Sequence, residues 1–444
     1  MISTEEAARR LDVSQRRVQE LVRTGALKAQ KVSRVWLVDE ESVALRLRTA
    51  SKRGGRPAKG HGKGEHSFTL MNRTHEVVAV VYSESRKEFV SVSSDCDARY
   101  APLGILSQRG TLPLAPLNRW WRGRGIPQTR NKLASLLEDA GVELPEELIQ
   151  RNLGLSLSDQ YWIRPADSSL KWEDINFFNN DFDQVSLATS AFAVDGKKAA
   201  AKPDNTSDGN LEKKWVCRNG TRFLLKGGTQ LGQEPYNEAV ATALHRRLLD
   251  TGDYVAYSLE GEGPLAMSCC PNFLTDEEEF VPALYVERCL EQGANESGYD
   301  HFLACCAHLG VKGEKQALDR MIVCDDVIAN HDRHRRNFGI VRNVETLECR
   351  PAPLFDSGSS LWCDTATADL AAGEHSFASK QFHASPAKQM LLVDDLTWFD
   401  AKSLGGFVEE AESILSRNEA LASRLPYLIS ALTWRLNRMI SIAE

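Results

Sequence analysis

The sequence predicts an α+β chain of several domains: a small basic head of short helices and a β-wing, a middle α/β segment, and a larger two-part region that ends in helices. Three observations predict this. Charge is divided unevenly: of 444 residues with net charge −7, residues 1–64 hold 15 Lys and Arg against 7 Asp and Glu, so a head of +8 precedes a body of −15. Hydrophobic spacing switches along the chain, from helical over residues 3–24 to alternating runs over 67–93 and back to helical over 389–444. A stretch too polar and flexible to bury a core, SKRGGRPAKGHGKGE at 51–65, separates head from body. The expected boundaries are 1–50, a linker at 51–65, 66–185, 186–275 and 276–444.

In the head, Ser3 or Thr4 caps a helix with Glu6 in its first turn and Ala7, Ala8 and Leu11 on its apolar face. Asp12-Val13-Ser14 makes a turn. A second helix follows, with Val18, Leu21 and Val22 inward and Gly25 at its end. Leu27–Val38 reads as a small β-wing, and residues 41–48 as a short closing helix. Two helices joined by a tight turn form a helix-turn-helix. The whole head resembles the winged helix-turn-helix of excisionase and MerR-type DNA-binding domains. That resemblance implies a second helix in the major groove of double-stranded DNA, with Gln15, Arg16, Gln19 and Arg23 toward bases and Arg17, Lys31 and Arg34 near phosphates. A helical hairpin that binds protein is the competing reading. In the linker, Gly55-Arg56-Pro57 resembles an AT-hook that would put Arg56 in the minor groove. A plain basic linker explains the same composition.

The middle segment begins with the strand-like runs SFTLMN, EVVAVVYS and EFVSVS. A helix is expected near 130–141. Trp120 and Trp121 lie among Arg119, Arg122 and Arg124, which suits either base stacking or a core position.

Chemistry-bearing residues begin near 205. Thr206-Ser207-Asp208-Gly209-Asn210 is a small-residue loop whose backbone N–H groups suit phosphate. Asn219-Gly220 signals a type I′ hairpin between Lys214–Arg218 and Thr221–Lys226. Lys226 ends the second strand. The next helix starts near Pro235, carries Glu238, is lined by Val240, Leu244 and Leu248, and is expected to end at Gly252. A strand lysine and a helix glutamate form the ion pair that positions ATP in protein kinases. Farther on, DDVIANHDRHRRN (325–337) follows a helix with Leu318, Met321 and Ile322 inward. Strands at 338–342 and 349–353 would bring Asn337 and Asp356 to one end of a hairpin, beside Asp332. Phosphoryl transfer needs a carboxylate to orient a hydroxyl, and Mg2+ takes hard oxygen ligands.

The run N-H-D-R-H-R-R-N (330–337) followed by P-L-F-D-S (353–357) resembles the catalytic loop and metal-binding segment of HipA-like serine/threonine kinases. The resemblance spans about 205–440. It implies a bilobal protein-kinase-like fold, preceded by the winged head and the α/β middle segment. It also implies Asp332 as catalytic base, Asn337 and Asp356 as Mg2+ ligands, Lys226 on ATP phosphate supported by Glu238, and His334 orienting the loop. Ser207 stands where family members autophosphorylate. Leu265–Phe273, with Cys269 at its centre, is placed to grip adenine. His331 and His334 have the spacing of metal ligands, but no third soft ligand lies nearby.

The expected function is an ATP- and magnesium-dependent protein kinase of toxin–antitoxin type, acting on a protein substrate and on itself. The fused DNA-binding domain would serve autoregulation. A nucleotide-sensing regulator and a small-molecule kinase use the same residues. A homodimer and a separate antitoxin are compatible partners. No run of about 18 apolar residues is present, so no membrane partner is expected. MISTEEAARRL has no signal-peptide core, and the ten cysteines show no C-x-x-C pair; both point to reduced thiols in the cytoplasm.

Overall fold

The computed structural model describes residues 1–11, 18, 21–22, 27–32, 35–40, 42–43, 64–125, 149–150, 152–182, 203, 211–229, 231–373 and 375–444. The chain divides into two compact units, Met1–His61 and Gly62–Glu444.

In the first unit, α1 (Thr4–Leu11) starts where Ser3 accepts the Glu6 N–H at 3.1 Å. Ser3 and Glu6 have the spacing of a capping box. β2 (Ala29–Val32) and β3 (Val35–Val38) pair antiparallel as the expected wing. A strand not expected from the sequence, β1 (Ile2–Ser3), pairs on the far side of β3 to give the order β1-β3-β2. Ala7, Ala8, Val18, Leu21, Leu27, Val38 and Val43 form the core, with Val22 against it. Of the inward positions read from the helical spacing, Ala7, Ala8, Val18, Leu21 and Val22 pack here, and the Leu11 side chain lies outside the described residues.

The second unit is built on antiparallel sheets. β4 (Glu65–Asn72), β5 (His75–Ser83), β6 (Glu88–Cys96) and β7 (Tyr161–Pro165) form one, ordered β6-β5-β4-β7. α2 (Leu114–Arg122) covers it. Asn118 on α2 both accepts from the Phe89 N–H and donates to the Phe89 carbonyl, at 2.8 Å each. Trp121 is fully buried and Trp120 nearly so, with the Arg124 guanidinium 4.7 Å over the Trp120 ring. Both tryptophans pack as core residues, and Trp120 also borders the cleft described below. The helix expected near 130–141 lies outside the described residues.

The second sheet runs β10-β11-β9-β8, from β8 (Lys213–Arg218), β9 (Thr221–Lys226), β10 (Ser258–Glu260) and β11 (Met267–Pro271). Asn219 and Gly220 both take positive φ, 51° and 78°, as the type I′ turn requires. α3 (Glu234–Leu248) packs against this sheet. It ends at Leu248, four residues before Gly252, because the chain turns extended at Leu249. The third sheet, β12-β13-β14, contains β12 (Glu278–Pro282), β13 (Gly339–Asn343) and β14 (Cys349–Pro351). α4 (Gly298–His308), α5 (Glu314–Val327), α6 (Phe407–Leu415) and α7 (Leu425–Ala443) complete the unit. Leu318, Met321 and Ile322 of α5 and Phe407, Leu432 and Leu436 are buried as their spacing predicts. Leu391, within the run 389–444 whose spacing reads as helical, is 81% exposed, since it lies just past a five-residue helix rather than within a long one.

The first sheet is fastened to the third by polar contacts. The Phe280 N–H donates to Ser158 O at 2.9 Å, and the Gln160 amide to Glu278 O at 2.5 Å. Buried Arg342 joins Glu279 at 2.5 Å and the Tyr161 hydroxyl at 2.9 Å. Gly104 sits at φ +71° where a Cβ would fall 2.0 Å from Tyr285 O, so only glycine permits this approach. One continuous hydrophobic cluster runs through the first and third sheets and α3, with Trp215 and Leu259 of the second sheet packed against it.

Candidate active site

The first wall of the site comes from β9 and α3. Lys226 ends β9 opposite Ser268 of β11 and Lys213 of β8. Side chains alternate along a strand, so Leu224 and Lys226 share one face and both line a cleft. The Lys226 ammonium lies 2.6 Å from a Glu238 carboxylate oxygen and also contacts Asp356. The Tyr257 ring centroid is 5.0 Å away. Burial opposes the charged lysine, but Asp356 and Glu238 together outweigh it and hold Lys226 well above its usual range. Burial likewise works against the Asp356 carboxylate, and Lys226 and then Lys213 overcome it, so Asp356 stays ionised below the usual carboxylate range.

Asp356 follows β14 in a left-handed conformation, φ 57°, which a non-glycine residue rarely adopts. Two hydrogen bonds hold the turn. The Asp356 N–H donates to the Tyr257 hydroxyl at 3.2 Å, and the Ser357 N–H to Glu238 at 2.9 Å. Glu238 thus ties the lysine and the turn carrying Asp356 to one helix.

The second wall is the loop between α5 and β13. Asp332 accepts the His334 N–H at 2.7 Å and the Asn337 side-chain amide at 3.0 Å, both on its carbonyl. The Arg336 N–H donates to His334 Nδ1 at 3.3 Å. β13 and β14 pair antiparallel, with Val341 opposite Arg350. Asn337, ahead of the hairpin, and Asp356, after it, therefore face the same cleft as Asp332.

What holds this loop is the fully buried Arg333. It donates to both oxygens of Asp325, at 2.9 and 3.0 Å, to Asn337 O at 3.0 Å, to the Ser357 hydroxyl at 2.9 Å and to Phe355 O. Asn330 and Gln381 each add a bond to Asp325 at 2.8 Å. Burial disfavours the guanidinium, but Asp325 outweighs it, so Arg333 remains charged.

The cleft holds about 600 Å3. Leu224, Val255, Cys270, Phe273, Phe280 and Phe355 make its apolar part, with the Phe273 and Phe355 rings stacked at 5.4 Å. Lys226, Asp332, Asn337 and Asp356 are among its polar lining residues. Cys269, expected at this wall, does not line the cleft; strand alternation presents Cys270 there instead.

The structure brings Lys226, Glu238, Asp332, His334, Asn337 and Asp356 to one place. Ser207 and Gly209 lie outside the described residues, as do Gln15, Arg16, Arg17, Gln19, Arg23, Arg34 and Arg56; of Lys31 only the backbone, in β2, is described. His331 approaches Asp364 at 3.5 Å, and no cluster of three or more His, Cys, Asp or Glu among the described residues is placed to hold a metal ion. Sequence reasoning missed Asp325, Arg333, Tyr257, Gln381 and Lys380. Asp325 and Arg333 stood inside the quoted motif, but an Asp and an Arg eight residues apart read as surface charge. Lys380 and Gln381 lie far downstream and carried no local signal.

Comparison with known proteins gives three findings. Residues 1–51 match a family described as a helix-turn-helix domain. Comparison with curated proteins gives no match. Among solved structures, one titled as the crystal structure of a Helicobacter pylori proinflammatory kinase, CtkA, is 18% identical. The likeness covers 52% of this chain and 94% of that one, with a TM-score of 0.40.

Proposed function

We propose that the cleft binds ATP with Mg2+ and transfers the γ-phosphoryl group to a serine or threonine hydroxyl of a protein, and that the head binds double-stranded DNA. The observation that supports the enzyme reading is the meeting of Lys226, Glu238, Asp332, Asn337 and Asp356 at one end of one cleft. Three carboxylates, one amide and a buried ion-paired lysine are drawn there from four separate segments. The aromatic end of the cleft suits a flat base, and the lysine end suits phosphates.

The residues fit a magnesium ion by their donor chemistry. Mg2+ is held in such sites by one or two carboxylates together with substrate phosphates, not by a full protein cage. Asp356 already carries a cation, the Lys226 ammonium. Asn337 spends its amide N–H on Asp332 O, which leaves its amide oxygen as the ligating atom. Bound Mg2+ would neutralise charge on the phosphates. Asp332 would orient the attacking hydroxyl and take up its proton. Lys226 would bind phosphate while Glu238 keeps it in line. Residues 186–275 and 276–444 would form the two lobes about the cleft. The resemblance to HipA-like kinases favours a protein substrate and Ser207 as the self-modified residue.

Intact mass of wild type and Asp332→Ala after incubation with Mg-ATP tests the enzyme reading. A phosphate gained only by wild type is expected, with peptide mapping locating it. Wild type that binds ATP yet releases no ADP with any protein acceptor would overturn it. For the head, Arg16→Ala with Arg17→Ala should weaken duplex binding and lower its dependence on salt. Unchanged affinity and salt slope would remove these arginines from the DNA surface.

A further inference from the structure

We propose that Lys380 is a further catalytic residue, one that donates hydrogen bonds to the oxygens of the phosphoryl group in transit. The inference rests on the phosphotransferase reading of the cleft and adds a residue to it. The Lys380 ammonium lies 2.5 Å from an Asp332 carboxylate oxygen. It arrives from a segment 48 residues downstream of Asp332.

That segment is tied to the loop it faces. On one side of Lys380, Ser379 donates its N–H to Ala384 O at 3.0 Å and its hydroxyl to His383 O at 2.5 Å. On the other side, the Gln381 amide donates to Asp325 at 2.8 Å, and Arg335 donates to Gln381 O at 2.5 Å. Asp325 is also the partner of Arg333, so one carboxylate fixes both the loop bearing Asp332 and the segment bearing Lys380. Phe382 anchors the turn among Tyr299, Phe302 and Phe338, with ring centroids 5.0–6.1 Å apart.

This anchoring is more than the ion pair itself explains. Lys380 is about half exposed, and pairs of that kind contribute little to stability. What the anchoring secures is position: a second ammonium beside the carboxylate that orients the hydroxyl. In the transfer, the hydroxyl oxygen forms a bond to the γ-phosphorus. The bond from that phosphorus to the β–γ bridging oxygen breaks, and its electron pair leaves with ADP. The hydroxyl proton passes to Asp332. Lys380 keeps its own protons throughout and turns its hydrogen bonds from Asp332 to the equatorial oxygens, where charge is spread in the transition state.

The test uses the full chain as wild type, Lys380→Ala and Lys380→Arg. It reads ADP release from Mg-ATP, and binding of Mg-ADP and of the Mg complex of the non-hydrolysable imido analogue of ATP. Lys380→Ala should turn over about 10- to 100-fold more slowly. It should bind the imido analogue several-fold more weakly, bind ADP normally, and melt at the wild-type temperature. Lys380→Arg should recover part of the rate. Equal or faster turnover by Lys380→Ala would overturn the proposal, the faster case making the contact a brake. Equal loss of ADP and imido-analogue binding would also overturn it, since a purely structural role has no reason to single out the γ group. If wild type itself releases no ADP, the two-ligand comparison still decides whether Lys380 contacts that group. Wild type that binds neither nucleotide would sink the phosphotransferase reading, and this proposal with it.

Discussion

The two walls of the cleft are held by opposite means. On the strand–helix wall, the residues that line the cleft also hold the wall: Lys226 and Asp356 pair with each other, and Glu238 behind them pairs with Lys226. On the loop wall these roles are separate. Asp332 and Asn337 face the cleft, while Arg333, Asp325, Asn330 and Gln381 behind them carry the structure. A loop has no sheet ladder to fix it, and its buried carbonyls must find donors elsewhere. One guanidinium with five N–H groups supplies them. Substitutions should therefore separate position from function on the loop wall and fail to separate them on the other.

The largest expected effect follows from this separation. Arg333→Ala leaves Asp325 buried without its partner, which typically costs about 3–5 kcal/mol. That is a large share of the stability of an ordinary domain. Urea or thermal unfolding should show it, although Arg333 does not line the cleft. A loss comparable to that of a surface substitution would erase the contrast between the walls.

A buried carboxylate without a partner sharpens the point. Glu314, at the start of α5, is nearly fully buried, has one side-chain oxygen without a hydrogen bond, and is pushed up to about 8 by burial. Asp325, near the end of the same helix, has its guanidinium. In the folded state Glu314 holds its proton up to about pH 8, whereas unfolded it loses it near 4.5. The folded state thus binds more protons between these values, and wild-type stability falls as pH rises through that window. Glu314→Gln should gain progressively on wild type, up to about 5 kcal/mol, as pH rises between those values and stay level above. A difference independent of pH would show that Glu314 ionises normally.

The smallest stability effect is expected at Lys226. Lys226→Met leaves Glu238 and Asp356 facing each other, but Asp356 is partly open to water, so the cost should be about 1–2 kcal/mol. The same variant should lose Mg-ATP affinity if, as proposed, the lysine that holds the wall also binds the phosphates. Normal nucleotide affinity together with a large stability loss would make Lys226 structural alone.

Much of this site was legible in the chain. The Asn219-Gly220 turn, the helix bearing Glu238 and the hairpin between Asn337 and Asp356 are local features, written in turn chemistry and hydrophobic spacing, and each formed close to where the pattern put it. Errors arose where a local rule met tertiary packing. Gly252 did not end its helix, Leu391 did not enter the core, and Cys270 rather than Cys269 reached the cleft.

By itself, then, the sequence determined the local elements that carry the site and the residues able to do chemistry, because periodicity, turns and side-chain functional groups are properties of neighbours in the chain. Only the tertiary structure decided which charges hold and which face the ligand. Arg333 meets Asp325 and Phe355, and Lys380 meets Asp332, across separations that carry no periodic signal. A buried ion pair is specified by the three-dimensional need to satisfy desolvated groups, and that need exists only once the chain has folded around them.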